Sequence, residues 1–216
     1  ACVIGFLAFA ELDIPSNGQI FLIALANLIF VTSFLLLIKA LSLGPTGIVI
    51  PLQSVFPAYV LGFSIIFLGQ SFGLGQILAI LAIVVGAAVV GYEHNQTNNL
   101  LKVSPDKKLA ILVGLLWGIG NTITNSLIDE GEWQSLYVIG NIFMVFFALV
   151  LLLVKTNFSG AAVRRAALNK SGILAGVILT VGTFAAYIGA SIVGSLVIIL
   201  TIAAGESLVA SLLSRI

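Results

Sequence analysis

One acidic side chain lies in the middle of a long apolar segment near the end of the sequence. Glu206 stands between Gly205 and Ser207. On membrane-insertion scales an ionised acid at the centre of a helix costs about 2.5–3.5 kcal/mol, so such residues usually face a bundle interior or a water-filled cavity. The position predicts a carboxyl that binds a proton or cation, or that contacts a ligand. The alternative is a protonated acid that forms hydrogen bonds within the helix packing.

Uncharged polar and amphipathic side chains recur inside the other apolar segments. The candidates for ligand contact are Asn27, Gln53, Trp117, Asn121, Asn125 and Tyr187. Lipid offers amides no hydrogen-bond partner, so we expect them to point inward. One face of the helix from Leu109 carries Gly114, Trp117, Gly118, Asn121 and Asn125, at spacings of three and four. Two interpretations stay open: a polar central cavity, or close packing of helices through small residues and amides.

A proline in the first half of the sequence leaves one backbone carbonyl without its helical hydrogen-bond donor. Pro57 has no N–H to donate to the carbonyl of Gln53, four residues earlier. That carbonyl is therefore released for water, a side chain or a substrate.

The composition excludes several classes of protein. Hydrophobic residues make up 60% of the chain and charged residues 8%, whereas soluble domains are about a quarter charged. The net charge of +1 gives no electrostatic footprint for nucleic acid. One cysteine (Cys2) and one histidine (His94) argue against an internal disulfide, a metal cluster and a Ser-His-Asp triad. We expect an integral membrane protein without a cofactor.

Apolar segments long enough to cross a membrane organise the whole chain. A helix needs about 20 apolar residues to span the hydrocarbon core, and about eight segments are candidates. The first is a short run ending near Ala10, and the others are 20–41, 46–69, 74–92, 109–128, 134–154, 172–190 and 192–215. The segments lack the alternation of a membrane barrel, so they predict an all-α transmembrane bundle. Both terminal runs are apolar, and we interpret the sequence as a fragment cut within helices.

The longest polar stretch, 93–108, divides the chain into two predicted repeats. Residues 1–92 form the first and 109–216 the second, with 93–108 as the linker. Residues 42–47 and 189–194 each join two apolar segments by a very short turn that precedes a β-branched run. Repeats of inverted topology are common in transporters.

The basic residues predict the orientation of the bundle. Those in the two long loops are Lys102, Lys107, Lys108, Lys155, Arg164, Arg165 and Lys170, and Lys39 and Arg215 end on the same side. The opposite side carries Glu11, Asp13, Asp129, Glu130 and Glu132 without a Lys or Arg. Because cytoplasmic loops are enriched in Lys and Arg, we place the basic loops in the cytoplasm, for a protein of the plasma (bacterial inner) membrane.

The stretch 40–92, ALSLGPTGIVIPLQSVFPAYVLGFSIIFLGQSFGLGQILAILAIVVGAAVVGY, resembles the EamA-like branch of the drug/metabolite transporter superfamily. Pro57, Gln76 and Gly86 correspond to the family's mid-span proline and to the Gln and Gly of its following helix. LLWGIGN at 115–121 is similar to the start of the family's second repeat, and it makes the sugar-porter branch an alternative. The resemblance implies two inverted repeats in a transporter of ten helices.

The sequence departs from the family in two respects. The family's Gly-Glu step reads Gly69-Gln70, so any role of that acid is lost here. The charge bias also places both ends outside, where the family has them in the cytoplasm. Either the topology is reversed or the helix count is off by one.

These patterns together predict a secondary transporter for a small polar metabolite, working by alternating access. Protons are a candidate coupling ion, the lipid bilayer is a partner, and a homodimer is compatible with the sequence. The mostly uncharged intramembrane groups favour sugars or neutral metabolites. The alternatives are a non-transporting assembly or receptor subunit and an intramembrane enzyme. An enzyme requires convergent acids, metal ligands or an activated nucleophile, whereas the spans offer one acid and no histidine.

Overall fold

The computed structural model describes residues 15–93, 104–129 and 133–155, with short pieces between 181 and 200. Within the three longer ranges the chain forms six helices and no strand. The first apolar run lies outside the described residues, as do most of the predicted segments 172–190 and 192–215. The second repeat therefore stays a prediction.

The first helix, α1, spans Asn17–Leu43 and begins at a capping box. The Ser16 hydroxyl accepts a hydrogen bond from the Gln19 N–H, and the Gln19 side chain accepts one from the Ser16 N–H at 2.7 Å. These bonds satisfy backbone donors that have no partner at the start of a helix. The helix ends at Gly44, because Pro45 follows and disfavours helical backbone in the residue before it.

The next predicted span, 46–69, is broken in the middle. Helix α2 covers Thr46–Gln53 and helix α3 covers Phe56–Leu68. The break follows from Pro57, which cannot donate to the Gln53 carbonyl and whose ring clashes with it. The pattern predicted one continuous segment with a freed carbonyl, and the structure resolves it into two helices. Helix α3 ends at Gly69, whose φ of 64° lies in the left-handed region that glycine adopts without strain.

Three further helices complete the described bundle. Helix α4 covers Leu74–Glu93, α5 covers Pro105–Asp129 and α6 covers Trp133–Lys155. They match the predicted segments 74–92, 109–128 and 134–154 to within about one helical turn. Among the described residues, three stretches are long and apolar enough to cross a membrane: Asn17–Leu43, Thr46–Leu68 and Pro105–Ile128. Shorter apolar stretches lie at Leu74–Ala87 and Leu136–Leu151.

Helix α5 is the centre of the described bundle, where it packs against α1, α2, α3 and α6. It runs antiparallel to α1, because its first turn contacts Gly44 while Gly120 lies against Phe30, near the middle of α1. It runs parallel to α2 and α3, because Gly114 lies beside Gln53 and Gly118 beside Tyr59.

The helix directions fix which ends lie together. Helix α6 runs parallel to α1, since Leu136 packs with Ile23 and Gly140 lies against Asn27. Helix α4 follows α3 after a short link and packs back along α3 and α2. The end of α4, the start of α5 and the end of α6 therefore lie at one end of the bundle. These are the helix ends that flank the two basic loops.

Apolar side chains fill the contacts between the helices and also cover the outside. One buried cluster joins α1, α5 and α6, a second joins α3 and α4, and a third joins α1, α2 and α5. Large exposed apolar side chains on the outer surface include Ile66, Phe67, Leu78, Leu81, Val85, Val145 and Phe146. In water such a surface would be costly, whereas the hydrocarbon of a bilayer accommodates it.

Candidate functional site

The break between α2 and α3 lies directly against two glycines of α5. A Cβ atom added at Gly114 would lie 3.0 Å from the backbone oxygen of Gln53. One added at Gly118 would lie 2.5 Å from the Cβ of Tyr59. Helix α5 therefore approaches the break closely because both positions lack a side chain. We call this surface, Gly114 and Gly118, the glycine face. For these two residues the structure shows helix packing, and the carbonyl released by Pro57 faces α5.

Two of the predicted amides satisfy their donors within their own helices. The Asn27 Nδ2 donates to the Ile23 carbonyl at 2.8 Å, and the Asn121 Nδ2 donates to the Trp117 carbonyl at 2.8 Å. Both acceptors lie one helical turn earlier, so neither bond ties two helices together. The third amide, Gln53, is the last residue of α2, and only 4% of its surface is exposed.

Asn125 behaves differently from the other amides, because its side chain reaches another element. Its Nδ2 donates to the Oε1 of Gln70 at 3.0 Å. Asn125 is fully buried on α5, whereas Gln70 lies in the link between α3 and α4. The sequence singled out Asn125 but treated Gln70 only as a lost acid. The signal that could have identified Gln70 is its position: it is a polar residue directly after the glycine that ends α3.

Trp117 lies at the meeting point of α1, α3 and α5. Its ring contacts those of Phe34 and Phe56 edge-on, with centroids 5.4 Å apart in both pairs. The indole Nε1 is covered and has no hydrogen-bond partner among the residues that the structure describes. A buried N–H without a partner is costly, so its presence here needs a reason. The arrangement offers one donor among aromatic rings, which suits a ligand with an acceptor and an apolar face.

We define the candidate site as Gln53, Trp117 and Asn121, with the rings of Phe34 and Phe56. These residues come from α1, α2, α3 and α5, and none of them is an acid or a base. The polar groups among them are therefore uncharged, and none is suited to proton transfer. Across the described ranges, no cluster of His, Cys, Asp and Glu is placed to hold a metal ion. Glu206 and Tyr187, the remaining predicted site residues, lie outside the described residues.

Two charged residues are buried in the described ranges, and both lie at one end of the bundle. Asp106 and Lys107 in the first turn of α5 are each 7% exposed, and the Asp106 carboxylate lies against Gly44. An acid in the first turn of a helix interacts favourably with the helix dipole. A shallow, open depression lies at the opposite end, where Pro15, Gln19 and Leu136 contribute to its lining. Neither feature contacts the candidate site.

The apolar outer faces and the membrane-length helices define an integral membrane protein of the helical-bundle class. Residues 1–92 match the model of the EamA-like transporter family, within the drug/metabolite transporter superfamily. The match confirms the resemblance that the sequence showed at 40–92. Members of this family are transporters rather than enzymes. No curated protein and no solved structure matches the chain.

Proposed function

We propose that this protein is a secondary transporter that moves a small, uncharged polar metabolite by alternating access. The observation that carries the proposal is the match of residues 1–92 to the EamA-like transporter family. In this mechanism residues 1–92 and 109–216 act as the two halves, which close in turn around a site near the middle of the bilayer.

The chemistry of the candidate site supports an uncharged substrate. Its polar groups are the amides of Gln53 and Asn121 and the indole N–H of Trp117, which has no partner in the described structure. A charged substrate in a low-dielectric site requires an opposite charge, and the described part of this site contains none. Sugars and neutral metabolites fit these groups better. In the proposal, Tyr187 and Glu206 of the second half face the same substrate path.

Glu206 is the proposed coupling group. A carboxyl that takes up a proton when the path opens to one side, and releases it when the path opens to the other, links substrate movement to a proton gradient. The support is its position in the middle of an apolar segment, where an ionised acid exposed to lipid is costly.

Uptake by proteoliposomes containing the full-length protein tests transport. We expect saturable uptake and counterflow of at least one member of a panel of sugars, polyols and neutral amino acids. Trp117→Phe removes the indole N–H but keeps an aromatic ring, and we expect it to raise KM roughly two- to tenfold through one lost hydrogen bond.

The matched control for this variant is Phe67→Leu, because Phe67 lies on α3 with 73% of its surface exposed. It should leave KM unchanged. Absence of uptake by correctly folded protein across the panel would instead favour a non-transporting assembly subunit.

The charge bias also gives a testable orientation. In a Cys2→Ser background, cysteines placed at Asn98 and Ser159 should resist an impermeant thiol reagent in intact cells, because both loops are proposed to be cytoplasmic. Ser71→Cys is the control: Ser71 is exposed in the link at the opposite end of the bundle, so it should react readily. Rapid labelling at Asn98 or Ser159 contradicts the orientation.

A further inference from the structure

The hydrogen bond between Gln70 and Asn125 joins residues of the two proposed halves. Gln70 lies within the family match of residues 1–92, whereas Asn125 lies on the first helix of the second half. The 3.0 Å contact therefore crosses the boundary that must open if the halves move apart. It lies at the end of the bundle where α3 finishes and α4 begins.

The hydrogen bond of Asn125 to Gln70 differs from the side-chain hydrogen bonds of three other asparagines in the bundle. Asn121, one turn earlier on α5, donates its side-chain N–H to the carbonyl four residues before it, and Asn27 and Asn141 do the same in their helices. The Asn125 Nδ2 donates to a partner on another element, Gln70. A donor that prefers a partner on another element gives a specific tie between elements.

A buried hydroxyl lies on α3, about one turn before the link that carries Gln70. The Ser64 side chain on α3 is fully buried, and its Oγ has no hydrogen-bond partner in the described part of the chain. The Ser64 carbonyl accepts a hydrogen bond from the backbone N–H of Gln70 at 3.2 Å, so the last turn of α3 is bonded to the link that carries Gln70. An unpaired hydroxyl at this position gains a partner when water or a polar solute enters.

We infer that the Gln70–Asn125 hydrogen bond is a latch that closes this end of the substrate path between α3 and α5. The inference rests on the proposed transport function. Both partners are neutral, so opening the latch exposes no ion, and the hydrogen bond between them is of modest net strength. Gln70 is partly exposed, so water can replace its partner. A latch of this kind keeps this end of the substrate path closed in one conformation, but it is weak enough to let the protein adopt the conformation in which this end is open.

Thiol labelling at Ser64 tests the latch. In a Cys2→Ser background, Ser64→Cys replaces a hydroxyl that has no hydrogen-bond partner among the described residues. Its rate of labelling in open membrane fragments reports access to the buried side of α3 near the link. We expect Gln70→Met and Asn125→Leu each to raise this rate about fivefold, which corresponds to about 1 kcal/mol. The double variant should match the single variants, because each removes the same bond.

The matched control is Gln76→Met, which breaks the 2.8 Å bond from the Gly73 N–H to the Gln76 side chain in the same link. It should leave the rate of labelling unchanged. Unchanged labelling in both latch variants overturns the inference, and so does a double variant whose effect is the product of the two single effects. If Asn125→Leu does not fold, Gln70→Met still tests the latch, because Gln70 lies outside the helices and its substitution disturbs the fold less. Faster labelling without uptake of any solute keeps the latch and rejects the transport proposal.

Discussion

Gly118→Ala is expected to lower the free energy of unfolding by about 1–3 kcal/mol, because it overfills a closely packed contact. The new methyl group would lie 2.5 Å from the Cβ of Tyr59, an atom fixed to the backbone of α3 that cannot rotate away. Helix α5 would have to move away from α3, which disturbs the neighbouring Trp117. Thermal unfolding in detergent measures the loss, and transport should fall with it.

Gly62→Ala is the matched control for this substitution. Gly62 also lies within an apolar helix, but a Cβ there meets nothing within 4 Å. Alanine favours the helix by up to about 1 kcal/mol over glycine, so the control should be neutral or slightly stabilising. Equal unfolding temperatures for the two variants would show that α5 does not approach the break through its glycine face.

Glu206→Gln is expected to abolish proton-driven uptake while preserving exchange of substrate across the membrane. Glutamine keeps the shape of the side chain and much of its hydrogen bonding, but it cannot release a proton. If Glu206 is a packing acid, the variant should transport almost normally. We therefore expect gradient-driven uptake to fall by at least about tenfold, equivalent to about 1.4 kcal/mol, in proteoliposomes with an imposed pH difference.

The control for this prediction is Asp106→Asn. Asp106 is a buried acid at the first turn of α5, at one end of the bundle, and it has no proposed role in coupling. It should keep the response to the pH difference. Wild-type proton-driven uptake by Glu206→Gln excludes the coupling role, whatever the substrate.

The sequence predicted the described helices well, because each combines a long apolar run with a clear boundary. The capping box at Ser16 and Gln19 and the turn at Gly44-Pro45 are local signals, and so is the effect of Pro57 on the Gln53 carbonyl. The interruption of the helix at Ser54 and Val55 was not predicted, because a proline within a helix produces a kink as readily as an interruption.

The sequence did not predict which helices pack against each other. Nearly all segments are apolar on every side, so periodicity does not show which face meets which neighbour. The glycine face illustrates this, because the sequence positions of Gly114 and Gly118 were equally compatible with the wall of a cavity and with a helix-packing surface. The Gln70–Asn125 contact joins residues 55 positions apart, so it follows from the tertiary fold alone.

The central position of α5 has a consequence for biosynthesis. Helix α1 packs along α5 but contacts α2 only slightly, so its main neighbour is made after α2, α3 and α4 have left the ribosome. Helices α1–α4 are then incompletely packed in the bilayer until α5 is inserted between them. Residues 1–92 therefore match a family model as one unit, but they do not pack as one unit. A protein cut after α4 would leave α1 without its main contact in the described bundle.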